Sequence, residues 1–183
     1  ATMIKRFYYM LHRLLSRRAE RGSYSAGFLQ AMIRDAVIRL CPDDAGQLLE
    51  VGCGEGFFLS GYLRAAGTGS GVGVDISLDR LQQLDCSLDG RLRSRVRLVC
   101  ADGSALPFAE ASFSRVVCVN TFFNLPGPDA VCALLREMQR VCRPGGKVVC
   151  DFRNRRNVLF RLKYACAGWY DATVKDLPLK LYD

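Results

Sequence analysis

Between Leu48 and Phe58 the chain reads LLEVGCGEGFF: an apolar run, then Gly52, Gly54 and Gly56 at alternate positions, then the start of a helical pattern. Glycines at that spacing let the backbone approach a ligand closely, and the amides that open the following helix favour an anionic group. A dinucleotide-binding turn would carry glycine at the sixth position of its fingerprint, where this chain has Phe57. Glu50, two residues ahead of the turn, would oppose a pyrophosphate but would favour an ammonium group beside a carboxylate. The turn therefore suits the zwitterionic end of an amino acid better than a dinucleotide.

Two further acids stand where apolar runs end. Asp75 closes GVGVD, 23 residues after Gly52, and is placed to accept hydrogen bonds from ribose hydroxyls. Asp102 follows RVRLVC and is placed to accept from the exocyclic amine of adenine, with Ile76 and Leu106 as apolar walls for the ring. Amino acid, ribose and adenine, in that order, describe S-adenosylmethionine. Taken singly, each feature also has a purely structural use: the glycines as a tight strand-to-helix connection, Asp75 as a turn former or helix cap. Cys53 reads as a small residue tolerated in the turn, since nothing near it in sequence would lower its pKa.

The elements that must position these residues follow from periodicity. Apolar runs at QLLEV, GVGVDI, RVRLVC, RVVCV and GKVVCDF alternate with helical patterns over 57–66, 78–84 and 129–141. That alternation predicts βαβ units and an α/β, doubly wound, mainly parallel sheet. In such sheets ligands bind at the carboxyl ends of the strands, which is where Glu50, Asp75 and Asp102 fall. Two helices precede the first strand. One spans 4–15, basic and amphipathic; the other spans 26–40, with Phe28, Met32, Ile33, Ala36, Val37 and Leu40 on one face, and Pro42 ends it.

EVGCGEG, VGVDIS, ADGSALPFAEASF and LREMQRVCRPGGKVV closely resemble the successive motifs of class I S-adenosylmethionine-dependent methyltransferases, in particular the subgroup with an LPF segment before the fourth strand. The resemblance covers about residues 45–152 and implies a Rossmann-like methyltransferase fold and transfer of a methyl group to an O, N, C or S atom. It also implies that Glu50, Gly52, Gly54 and Gly56 hold the methionine moiety, Asp75 the ribose, and Asp102, Gly103 and Ser104 the adenine edge. Ile76 flanks the adenine, and Asn120 and Thr121 close over the methionine end. Where the reaction needs a proton acceptor, Asp151 at the end of the fifth strand is the candidate, and an acid at that place can as easily fix a loop. Many relatives carry an acid where this chain has Ser114. They also continue through a sixth and a seventh strand, whereas this sequence stops at Asp183, so the sheet is shortened or the chain is a fragment.

The expected division is 1–44 for the N-terminal helices, 45–152 for the cofactor-binding core and 153–183 for a basic acceptor-side segment. Of the formal charge of +8, residues 1–21 hold +5 and residues 153–163 another +5, while 22–152 and 164–183 each hold −1. Two basic segments beside the acceptor entrance favour an anionic acceptor or an anionic membrane surface. Nucleic acid is disfavoured, because the basic residues are not interleaved with aromatic platforms. Nine cysteines without a CxxC pair and a single histidine, His12, exclude a recognisable zinc motif, and Cys100, Cys118 and Cys150 read as reduced core thiols. With no apolar run long enough to span a bilayer and no secretory signal pattern, the chain reads as cytoplasmic. A non-catalytic S-adenosylmethionine-binding regulatory domain and a nicotinamide-dependent oxidoreductase are the rival readings.

Overall fold

The computed structural model describes residue 10 and residues 28–41, 46–67, 69–152, 154, 156 and 158. The predicted helix over 4–15, with Tyr8, Tyr9 and His12, lies outside these residues apart from Met10, as do Tyr24, Arg153 and Arg155.

Helix α1, Phe28–Leu40, leads to strand β1, Gln47–Val51, and helix α2, Phe57–Ala66. Strand β2, Ser70–Asp75, is followed by α3, Leu78–Ser87, and the single turn α4, Gly90–Arg93. Strand β3, Val96–Cys100, precedes a long loop to β4, Phe113–Cys118; a 3-10 turn, Phe122–Asn124, and α5, Pro128–Val141, then lead to β5, Cys142–Cys150. All five strands are parallel, in the order β3-β2-β1-β4-β5. The chain steps outward from β1 to β3 and returns to the other side of β1, so the order reverses between β1 and β4, the place where ligands enter sheets of this kind.

The pleat of the central strands explains why their sequences are apolar almost without a break. Leu48 and Val117 face one layer with Phe58, Leu59, Leu63 and Leu84, whereas Leu49, Val51, Val72, Val74 and Val116 face the other with Leu134 and Met138. Each fully buried aliphatic side chain contributes about 1.5–3 kcal/mol of transfer free energy. The helices that cover both faces are thereby fixed against the sheet, and the strand ends are held in register beside one another.

Three local expectations change. The buried face of α1 is Ala31, Arg34, Val37 and Cys41, while Met32 and Leu40 are exposed. Arg34 takes a place on the inward side, its guanidinium carbon 5.2 Å from the centre of the Phe57 ring. Strand β5 begins at Cys142 opposite Phe113 and resumes pairing only at Lys147 opposite Arg115, so the RPGG stretch bulges out of a strand already begun, with Gly145 at φ 75°. Cys100, on the edge strand β3, is exposed and Cys150 is half-buried; only Cys118 of the three is core, and every described cysteine is a free thiol.

The loop between β3 and β4, which carries the LPF segment, is strapped to α5. Glu137 Oε2 accepts from Leu106 N at 2.8 Å, while Arg140 donates to Phe108 O at 2.8 Å and Leu106 O at 3.0 Å. The two side chains also pair with each other at 2.7 Å. Two of the recognised motifs, the LPF segment and LREMQR, are therefore the halves of one clamp. Among the described residues no helix is long and apolar enough to cross a membrane.

Candidate cofactor and acceptor site

Gly52 N and Cys53 N both donate to Val74 O, at 2.7 and 2.9 Å, which folds the glycine turn over the end of β2. Gly52, Gly54 and Gly56 have φ of 75°, 50° and 71°, a region that side-chain-bearing residues rarely adopt. What the missing side chains make room for differs. A Cβ at Gly52 would lie 2.4 Å from Thr121 Oγ1 and one at Gly56 2.3 Å from Leu84 Cδ1, whereas at Gly54 the nearest atoms would be Arg80 Nη1 at 3.8 Å and Asp75 Oδ2 at 3.9 Å. Packing against the protein demands the outer two glycines; at the middle one, which is buried, a Cβ would make only ordinary contacts with Arg80 and Asp75.

Each of the three acids holds a backbone amide. Asp75, 7% exposed, accepts from Gly54 N at 2.8 Å through Oδ2 and from Ser77 N at 2.9 Å through Oδ1. The carboxylate thus ties the glycine turn to the start of α3 while each oxygen keeps a further lone pair for a hydroxyl. Glu50, 3% exposed, accepts from Leu59 N at 3.1 Å, an amide of the first turn of α2, whose cap position is occupied by Gly56 without a side-chain acceptor. Burial, reinforced by Asp75, pushes the Glu50 carboxyl well above the ordinary carboxylate range, and the Leu59 amide and Arg34 offset only part of this. Asp102 is exposed and accepts from Ser104 N and Ser104 Oγ, both at 2.8 Å and both through Oδ1. Those two bonds hold its carboxyl below the ordinary range, so it is a ready acceptor for an amine.

The neighbours of these acids sort differently. Ile76 is 72% exposed beside Asp75 and open to a planar ring, while Leu106, at 5%, belongs to the core. Gly103 is glycine for a packing reason: a Cβ there would stand 2.5 Å from Leu134 Cδ1 and 2.9 Å from Val51 Cγ1. Burial, with Glu50 and Asp75 adding to it, pushes the Cys53 thiol up, which removes any nucleophilic role at neutral pH. Ser114, where relatives carry an acid, donates to Gln47 O at 3.1 Å and links β4 to the start of β1, away from the strand ends that carry the other candidates.

Across the switch point, Thr121 packs on Gly52, its Oγ1 3.2 Å from Val119 O and 3.4 Å from Gly52 O. Asn120 has φ 58°, and its amide donates to Asp151 Oδ1 at 2.6 Å. Asp151 therefore braces the loop through that oxygen. Among the described residues, Asn120 Oδ1 is buried with no hydrogen-bond partner. Phe122, 2% exposed, stacks on Phe152, 47% exposed, with ring centres 4.7 Å apart and planes 16° from parallel.

The donor set fits an adenosyl amino acid: a glycine turn with left-handed backbone, the two carboxylate oxygens of Asp75 next to it, and an exposed acid at Asp102, held below the ordinary carboxylate range, one strand further along. Arg34, 5% exposed, is a residue the periodicity of α1 hid, because a lone arginine on a helix reads as surface; it reaches Phe57 and acts on Glu50. Glu137 and Arg140 also escaped a functional reading, since a pair three residues apart on a helix usually signals an exposed ion pair.

Comparison with known proteins agrees with this geometry. The family described as "Methyltransferase domain" matches residues 48–146. A demethylmenaquinone methyltransferase of Roseiflexus castenholzii is 35% identical over 118 residues, 64% of this chain and 47% of that protein. The methyltransferase GfsG of Streptomyces halstedii is 34% identical over 103 residues, 56% of this chain and 36% of that protein. The crystal structure of the PH0226 protein from Pyrococcus horikoshii superposes with a TM-score of 0.63 at 23% identity, covering 89% of this chain and 69% of that one, and shares the fold. The chain spans less than half the length of either curated relative. With the family match covering more than half of its residues and the sheet, turn and strand-end acids in place, the chain belongs to the methyltransferase-domain family, with the fold of the class I S-adenosylmethionine-dependent enzymes.

Proposed function

We propose that this chain binds S-adenosylmethionine over the glycine turn and brings its methyl group to a small-molecule acceptor that is anionic or lipid-like. The observation that carries the cofactor assignment is Asp75: a carboxylate buried at the end of β2, fixed by Gly54 N and Ser77 N, beside the one glycine of the turn where a Cβ would meet no clash. Asp75 takes the ribose hydroxyls, Asp102 with Ser104 takes the adenine edge beside Ile76, and Gly52, Gly54 and Gly56 shape the turn around the methionine end. Glu50 lies beneath the ammonium group, whose positive charge favours the ionised carboxyl against the effect of burial, and Thr121 closes the turn from the side of β4.

The bound cofactor supplies an electrophilic methyl group on a sulfonium that departs as a neutral thioether. The protein's part is then to align the acceptor in line with that bond and to keep water out, and proximity of this kind is worth several powers of ten in rate. Asp151 braces Asn120 on the acceptor side, which favours a positioning role for it over that of a base. The basic segments at 1–21 and 153–163 support an anionic acceptor or contact with an anionic membrane surface. Replacing Arg153, Arg155 and Arg156 by glutamine tests this part: unchanged binding to vesicles containing phosphatidylglycerol and unchanged acceptor affinity would remove it. The division into 1–44, 45–152 and 153–183 belongs to the same proposal.

Calorimetric titration with S-adenosylmethionine, S-adenosylhomocysteine and NAD tests the cofactor, with Asp75→Ala as the control. Binding of both adenosyl ligands and its loss in the variant is the expected result. Preference for NAD would make the protein an oxidoreductase instead, and failure of a folded sample to bind any of the three would remove the assignment.

A further inference from the structure

Four charged side chains are buried among the described residues: Arg34, Glu50, Asp75 and Arg115. Arg115 donates to the Tyr62 hydroxyl and lies across from Leu48, two residues short of Glu50 along the sheet. The other three lie around the glycine turn and the helical turn that follows it. Glu50 and Asp75 bring two carboxylates there, and Arg34, at 5% exposure, brings a guanidinium. An apolar side chain at position 34 would pack on Phe57 without the cost of taking a cation out of water. Helix packing alone therefore does not account for an arginine at this place, whereas two buried carboxylates do.

Two contacts, about one turn apart on each helix, set α1 against α2. The Arg34 guanidinium carbon is 5.2 Å from the centre of the Phe57 ring, and Ile38 Cδ1 is 3.4 Å from the place a Cβ of Gly61 would take. Val37 and Cys41 continue that face of α1 into the layer of Leu48, Phe58 and Leu59. Phe57 opens α2, and Glu50 Oε2 accepts from Leu59 N in the same turn at 3.1 Å. A buried cation and a buried carboxylate, from two different elements, thus hold one turn of helix directly after the glycines.

The groups that bear on Glu50 among the described residues are Arg34 from α1, the Leu59 amide from α2, Asp75 from β2, and the thiols of Cys53 in the turn and Cys118 in β4, both kept protonated by burial. Burial, reinforced by Asp75, favours the neutral form of Glu50, and the Leu59 amide and Arg34 favour the carboxylate. A neutral Glu50 would offer an ammonium group a dipole in place of a charge, a much weaker attraction in a site shielded from water. We infer that Arg34 is a positioning residue for the cofactor: from the buried face of α1 it supplies the counter-charge that readies Glu50 to receive an ammonium group, and so ties selection of the amino-acid end to the docking of α1. This rests on the cofactor assignment proposed above. Arg34 acts through Glu50, and through the turn of α2 that both residues hold, without touching the ligand.

The test follows two ligands by calorimetry on the full chain between about pH 5 and pH 8. S-adenosylhomocysteine carries the ammonium group; 5′-methylthioadenosine keeps ribose and adenine but has no amino-acid end. The ratio of their affinities cancels whatever titrates in the contacts they share. In the parent this ratio should rise with pH as Glu50 ionises. Arg34→Met should displace the rise upward by about one pH unit and lower the ratio about tenfold beneath it, with 5′-methylthioadenosine affinity unchanged. Arg34→Lys, which keeps the charge, should restore the parental position of the rise. An equal loss for both ligands in Arg34→Met, with the rise in its parental place, makes Arg34 a packing residue and overturns the inference. A higher ratio in that variant, which would make Arg34 a competitor of the ammonium group, overturns it as well, as does Arg34→Lys behaving like Arg34→Met. Should Arg34→Met alone fail to fold, the double variant with Glu50→Gln, which has no carboxylate left uncompensated at position 50, carries the test: its ratio should equal that of Glu50→Gln, and a lower one overturns the inference. A parent that binds both ligands with a ratio flat in pH overturns the inference alone. A folded parent that binds neither removes the cofactor assignment and the inference with it.

Discussion

On one side of the switch point, at the ends of β1 to β3, Glu50, Asp75 and Asp102 each hold a backbone amide. On the other, at the ends of β4 and β5, the side-chain oxygen of Asn120 is buried without a hydrogen-bond partner among the described residues, and the Phe152 ring is half exposed. The first side is organised by its own backbone: Asp75 ties the glycine turn to the start of α3, Glu50 holds an amide of the first turn of α2, and Asp102 holds Ser104. The second is organised by contacts between distant segments, such as Asp151 with Asn120 and Phe152 with Phe122.

If that contrast is right, the largest effects of substitution lie on the preorganised side. Gly56→Ala should be the most disruptive, since it adds left-handed backbone strain to a Cβ only 2.3 Å from Leu84. A loss of about 2–4 kcal/mol in urea unfolding is expected, and a loss below about 0.5 kcal/mol would show that α3 yields easily. Asp75→Ala should weaken S-adenosylhomocysteine about 100-fold by calorimetry, from two charge-assisted hydrogen bonds of about 1.5 kcal/mol each. It should leave the relative affinities of acceptor probes unchanged, and a shift in those affinities would blur the division between the two sides.

Glu50 allows a sharper test through pH. Its native pKa is raised above the ordinary 4.5, so in the window between that value and the raised one the native state binds more protons than the unfolded chain. Stability attributable to Glu50 is therefore fully present below the ordinary value and falls as pH rises through the window. Glu50→Gln keeps an acceptor for Leu59 N, so it should flatten this slope and be at least as stable as the parent at about pH 8. The same variant should bind S-adenosylmethionine more weakly, because the charge beneath the ammonium is gone. A variant less stable than the parent at that pH would mean that the carboxylate is better solvated than its burial indicates. The smallest effect is expected at the clamp: Arg140→Ala should loosen the Asp102–Ser104 loop and lower adenosyl affinity several-fold while the fold survives, which nitrogen-15 spectra and calorimetry together would register.

The ends of β1 to β3 were readable from the residues because their determinants are close in sequence and follow rules of backbone geometry. Alternating glycines after an apolar run must form a turn, and an acid ending a parallel strand must face its carboxyl end. Arg34 was not readable, since its burial depends on Phe57 and Glu50 arriving beside it, and helical periodicity assigned that face to Met32 and Leu40. The role of Gly103 was also hidden: it is glycine because Leu134, 31 residues later, closes over it. Glu137 and Arg140 read as surface charge until the loop between β3 and β4 supplied the carbonyls and amide they hold.

By itself, then, the sequence determined the alternation of strand and helix, the parallel sheet, the glycine turn and the three strand-end acids, because each depends on periodicity or on interactions within a few residues. Only the tertiary structure decided which glycines a Cβ would drive into neighbouring side chains, that Glu50 serves the first turn of α2, and that Asp151 holds the backbone of Asn120. Those depend on distances between segments that the chain joins only after β4 returns to the far side of β1, and no local pattern in the sequence encodes them.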